Sequence, residues 1–183
     1  MALKSTIYKA SISITDMDRN YYQSHTLTLA RHPSETDERM MIRLLAYVIN
    51  ASDTLAFSKG LSSNDEPDLW QKDLTGKIEL WIETGQPDEK SIRKACGLAQ
   101  KVAIYTYSGH SATLWYEQIK TALSGINKLT VVNIPQHTSH ELAKLADRNM
   151  QLQCTIQDGY IWLSNDLVSV EIKPQICKPL NNE

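Results

Sequence analysis

The stretch Ile78-Glu79-Leu80-Trp81-Ile82-Glu83-Thr84-Gly85-Gln86-Pro87-Asp88 decides the fold. Apolar and polar residues interleave over 78–84, which reads as a strand, and Gly85 closes it. Pro87-Asp88 then opens a helix over about 89–100. Val102 to Tyr107 is the next strand. Outward from there come a helix at about 111–123, a strand at 129–134 and a helix at 138–148. Strand–helix–strand–helix–strand order requires parallel pairing with crossover helices.

The flanks read differently. Residues 4–15 alternate, with Tyr8, Ala10, Ile12 and Ile14 on one side, and residues 21–30 alternate again. With the turn Asp16-Met17-Asp18-Arg19-Asn20 they predict an antiparallel hairpin. Near the other end Asp158-Gly159 separates two apolar-rich runs, a type I′ hairpin signal. A further strand is predicted near 168–172, and the tail from Pro174, about the last ten residues of 1–183, is expected to be loose. His32-Pro33-Ser34-Glu35-Thr36-Asp37 opens a helix that runs to about Asn50, with Ser34 as its expected N-cap. Short strands are predicted around Ala56-Phe57 and from Leu69 to Lys72, with the acidic loop Asn64-Asp65-Glu66-Pro67-Asp68 between them. The expected class is α/β (α+β): one domain, a mixed sheet with flanking helices, and antiparallel hairpins at both ends.

Composition narrows the function. The net charge is −2, so the chain lacks the strongly basic footprint of most nucleic-acid binders. Cys96, Cys154 and Cys177 show no metal-ligand spacing and read as free thiols of a reducing compartment. No run approaches the ~18 apolar residues of a membrane span. The expectation is a cytoplasmic protein. There is no Gly-x-Ser-x-Gly elbow, no phosphate-binding glycine loop and no dinucleotide fingerprint.

Carboxylates hold most of the interest. On a regular strand Glu79, Trp81 and Glu83 share one face. Two acids there need a cation, a metal ion or solvent; an open face, or a lysine on the neighbouring strand, would serve equally. On the first helix Glu38 falls within the apolar arc, either as a dipole partner or as part of a buried polar site, while Arg39 and Arg43 point away from it. On the helix after the strand, Ile92, Ala95, Cys96 and Ala99 form a core stripe, and Lys90, Arg93 and Lys94 form a solvated basic face.

Several longer strings carry a resemblance. They are Ala2-Leu3-Lys4 through Lys9, Leu29-Ala30-Arg31-His32-Pro33-Ser34-Glu35-Thr36, Glu38-Arg39-Met40-Met41, Leu80-Trp81-Ile82-Glu83 with Gly85 and Pro87-Asp88, Lys94-Ala95-Cys96, and Thr155-Ile156-Gln157-Asp158-Gly159. The chain resembles the YaeQ family of small bacterial proteins over nearly its whole length. That family's fold looks like a variant of the PD-(D/E)XK nuclease fold. The resemblance implies a helix bearing a first acid, Glu38, then a hairpin bearing Asp68 and Glu83, then a crossover helix. Mg²⁺ would sit among Glu38, Asp68, Glu79 and Glu83 and assist phosphodiester hydrolysis. The lysine two residues after the motif glutamate is replaced by Gly85, and Lys94 is the candidate substitute. The implied activity is a metal-dependent nuclease acting on or binding nucleic acid. The alternative is a non-catalytic module that binds a protein partner on the same scaffold, with Trp70, Trp115 and Tyr116 as a candidate aromatic patch or as core.

Overall fold

The computed structural model describes residues 3–59 and 65–181; Ala2 and Asn64 lie outside them. The chain begins with β1 (Thr6–Asp16) and β2 (Tyr21–Arg31), then α1 (Asp37–Ile49). Next come β3 (Leu55–Phe57), β4 (Leu69–Lys72) and β5 (Ile78–Thr84). They lead into α2 (Glu89–Leu98), β6 (Ala99–Thr106), α3 (His110–Leu123), β7 (Leu129–Asn133) and α4 (Gln136–Ala143). The last strands are β8 (Asn149–Gln157), β9 (Tyr160–Ser164), β10 (Ser169–Ile172) and β11 (Gln175–Lys178). None of the described helices is long and apolar enough to cross a membrane.

Two mixed sheets form where one had been expected. The first has the order β10-β9-β8-β1-β2, the second β11-β7-β6-β5-β4-β3. The predicted unit from β5 to β7 is present, with β5–β6 and β6–β7 both parallel. The two terminal hairpins also form. Asn20, Asp158 and Gly159 all take positive φ at their turns, as tight right-twisted hairpins require. What joins the hairpins is a parallel pairing of β1 with β8, Lys9 opposite Asn149 through Asp16 opposite Ile156. The tail expected to be loose instead supplies β11, which pairs antiparallel with β7 and closes that edge of the second sheet.

One core fills the space between the sheets. It takes Ile12, Leu29, Leu152 and Leu163 from the first sheet, and Ile82, Ala103 and Tyr105 from the second. Helix α1 runs through it, with every residue from Met40 to Val48 buried. A helix buried on all sides has no solvent face on which to place charge. A second core lies on the far side of the second sheet, where Trp81, Val102 and Ile104 meet Ile92 of α2 and Trp115 of α3. The N-cap of α1 is Thr36, whose hydroxyl accepts from the Arg39 amide at 3.1 Å. Ser34, the expected cap, instead bonds the His32 ring at 2.7 Å. Asp88 caps α2 by accepting from the Ser91 amide at 2.7 Å.

Candidate functional site

The polar centre of the molecule sits where α1 enters the core beside the ends of β4 and β5. Arg39 and Arg43 do not point to solvent as the helical pattern suggested. Arg43 is 2% exposed, because α1 is enclosed and a charge on it must find a partner inside. That partner is Glu35, in the loop ahead of the helix. Its carboxylate accepts from Arg43 Nε at 2.7 Å, from Arg43 Nη2 at 2.9 Å and from Arg39 Nη1 at 2.8 Å. Arg39 reaches on with Nη2 to Asp68 Oδ1 at 2.8 Å. The other Asp68 oxygen accepts from the Thr84 amide at 2.7 Å and the Thr84 hydroxyl at 2.9 Å.

Two acids and two guanidiniums thus form one nearly continuous buried chain, Arg43–Glu35–Arg39–Asp68–Thr84. It ties the helix entry to β4 and β5. Burial alone would lower the pKa of Arg39, but Asp68 and Glu35 outweigh it and hold the group above its ordinary value. Buried charges of both signs, each hydrogen-bonded, satisfy the condition for keeping ions out of water.

Glu83 sits beside this chain without joining it. Its Oε1 accepts from Trp81 Nε1 at 2.8 Å. Burial, and then the nearby charge of Asp68, push its pKa from 4.5 to about 7, while the Trp81 bond and Arg39 pull the other way. A carboxyl in this state is half-protonated near neutral pH. It lies one residue before the end of β5, at the carboxyl ends of the parallel strands, where open α/β sheets place their sites. Tyr107, just past β6, lies close by. Burial pushes its hydroxyl up to about 12; Arg39 pulls it down, and Glu38, Glu35 and Asp68 raise it further.

The other expected site residues are dispersed. Glu38 accepts from Ser139 Oγ of α4 at 2.6 Å, with His140 Nε2 3.8 Å away. Glu79 does not share the setting of Glu83. The β4–β5 register shifts between Gln71 and Lys72, so Lys72 faces Ile78 and Gln71 faces Leu80, leaving Glu79 as the extra residue of a bulge. Glu79 Oε2 accepts from Gln71 Nε2 at 2.8 Å, and Ile78 joins the Trp81 side of the sheet.

Lys94 is on the surface, 51% exposed, and bonds Asp65 Oδ1 at 2.6 Å. Where the nuclease motif has its lysine, Gly85 takes φ +106°, a conformation that L side chains rarely adopt. Among the described residues no three His, Cys, Asp or Glu side chains are grouped to hold a metal ion. The acids that the resemblance assigns to Mg²⁺ are thus dispersed: Asp68 accepts at both oxygens, Glu38 faces Ser139 and Glu79 faces Gln71.

The candidate aromatic patch is not an open patch either. Trp115 is 9% exposed and donates to the Pro87 carbonyl. Tyr116 donates to the Cys177 carbonyl, and Trp70 lies edge-on to Trp81 beneath Lys72. The pattern reading missed Glu35, Arg39, Arg43, Thr84 and Tyr107. The spacing of Glu35, Arg39 and Arg43, four residues apart in each step, was a usable signal, since such positions stack on one side of a helix. Nothing local announces the bond from Asp68 to Thr84.

Comparison with known proteins places this geometry. The model of the family described as "YaeQ protein" matches residues 1–174. The "Uncharacterized protein YaeQ" of Escherichia coli (strain K12) is 46% identical over 172 residues, covering 94% of this chain and 95% of that one. The protein of the same description from Salmonella typhi is 47% identical over 173 residues, covering 94% and 96%. The crystal structure of YaeQ protein from Xanthomonas axonopodis pv. citri matches with a TM-score of 0.93 at 42% identity, over 95% of this chain and 98% of that one. That from Pseudomonas syringae matches with a TM-score of 0.91 at 34% identity, over 96% and 97%. With the sequence match and the fold in agreement over almost all of both chains, this chain belongs to the YaeQ family.

Proposed function

We propose that the chain is a nuclease-like scaffold kept as a non-catalytic interaction module in the cytoplasm. Support for the scaffold comes from the order of elements: α1, the antiparallel strands β3 to β5, then α2 crossing to β6. That is the helix, hairpin and crossover-helix arrangement the nuclease resemblance implies. The observation that carries the non-catalytic reading is the engagement of Asp68. One oxygen is held by Arg39 and the other by two donors of Thr84. A carboxylate with three of its roughly four acceptor sites bonded inside the protein braces the fold and has little left to offer an ion.

The test is calorimetric titration with Mn²⁺ and Mg²⁺, together with incubation of the protein with single- and double-stranded DNA and RNA. The expected result is no saturable heat and no cleavage. Asp68→Asn is expected to lower the melting temperature and change nothing else. Saturable Mn²⁺ binding by the wild type that Glu83→Gln abolishes would overturn the reading.

That outcome would favour a second reading, a Mg²⁺-dependent nuclease-like protein acting on or binding nucleic acid. Glu83 speaks for it: a half-buried carboxyl of near-neutral pKa, in no ion pair among the described residues, is a common mark of a working site. In this reading Glu83 and Asp68 would hold the ion, which would supply charge neutralisation at a phosphate.

A further inference from the structure

The two edges of the first sheet are unlike. At one edge β10 is 4 residues long, too short to offer much to another chain. At the other, β2 runs for 11 residues and pairs with β1 without a break in register. Among the described residues its outer side carries no strand. Among the described residues, the backbone group of β2 bonded outside the β1 ladder is the Ala30 carbonyl, which accepts from Arg43 Nη2 at 3.1 Å.

A long regular edge presents a row of unmet N–H and C=O groups. Single-copy proteins blunt such an edge with a lysine, an inward charge, a proline, a bulge or shortness. From Tyr22 to Ala30 there is no Lys, Arg, Asp, Glu, Pro or Gly, and no register shift.

We propose that β2 is an association edge and that its occupant is β2 of a second copy of this chain, paired antiparallel about a two-fold axis. The self-complementary pattern of the outward side chains about Thr26 points to this occupant. The outward side chains Tyr22, Ser24, Thr26, Thr28 and Ala30 are uncharged. An axis perpendicular to the sheet at Thr26, the midpoint of Tyr22 to Ala30, sets Thr26 opposite Thr26, Ser24 opposite Thr28 and Tyr22 opposite Ala30, and keeps Leu27 and Leu29 inside. The hydroxyls of Ser24, Thr26 and Thr28 then meet one another across the axis, and no like charges do. The two five-stranded sheets become one continuous sheet across the dimer. This inference does not depend on whether the Glu83 region binds a metal ion.

Sedimentation velocity tests it. A one-strand contact lies at the small end of protein interfaces, so association should develop between about 1 µM and about 200 µM. The wild type is expected to shift from monomer to dimer over that range. Thr26→Lys opposes two ammonium groups across the axis and should remain monomeric throughout with an unchanged melting temperature. Gln151→Lys, on the same face but on β8, should associate like the wild type. A wild type that stays monomeric over the whole range would overturn the proposal. So would a dimer that Thr26→Lys leaves intact.

Discussion

Replacing Glu83 by Gln should make the protein more stable, and only above mildly acidic pH. The carboxyl is half-buried, bonded to Trp81 and beside Asp68, and its pKa rises from 4.5 to about 7. In the unfolded chain it ionises near 4.5; in the fold it keeps its proton until about pH 7. Stability from this group is therefore fully present below pH 4.5, falls as pH rises, and is lost above about 7. At 1.36 kcal/mol per pH unit the full loss is about 3 kcal/mol. Glutamine keeps the oxygen that accepts from Trp81 Nε1 and never ionises. Thermal melts of the two proteins should coincide near pH 4.5 and diverge to a plateau above pH 7. For a domain of this size, ~3 kcal/mol corresponds to roughly 6–12 °C. A difference that stays flat across that window would refute the protonated Glu83 of the folded state. So would a wild type that gains on the variant as pH rises.

Three further outcomes follow from the site. Arg43→Ala strands Glu35 in the core with Arg39 as its remaining cation; by urea unfolding it should cost about 3–5 kcal/mol, and Glu35→Gln paired with Arg43→Met should recover much of that. Gly85→Ala meets no steric obstacle, since nothing lies within 4 Å of an added Cβ, yet it must hold φ +106°; chemical denaturation should show a loss of about 1–3 kcal/mol. Lys94→Ala breaks an exposed contact with Asp65 and should leave the melting temperature unchanged by differential scanning calorimetry.

The central unit was legible because its signals are local. Alternation over 78–84, the Pro87-Asp88 start of α2 and the two apolar strands that follow each lie within a short window, and short connections leave little choice of topology. The Asp158-Gly159 turn was readable for the same reason. The site was harder. A helical wheel assumes that a helix has a wet side, and α1 has none from Met40 to Val48, so Arg39 and Arg43 face partners inside the fold where the pattern predicts solvent. Strict alternation put Glu79 with Glu83, and a single bulged residue separates them. The last strand, β11, is bounded by Pro174 and Pro179, and of its four residues Gln175 and Ile176 are exposed and Cys177 is half-exposed. It owes its order to β7 rather than to any propensity of its own.

The join between β1 and β8 has a consequence for how the chain is made. Lys9 waits for Asn149, so the first hairpin leaves the synthetic machinery long before its parallel neighbour exists. During that interval both sides of the hairpin are unpaired, and its apolar face, Ala10, Ile12, Ile14, Leu27 and Leu29, can lean only on α1. Non-local parallel pairing of this kind is slow, because the loop must close before any contact rewards it. A nascent or truncated chain that stops short of residue 149 therefore carries an open, sticky ribbon at its head. The residues from Asn149 onward act, in effect, as the cover that closes the first hairpin.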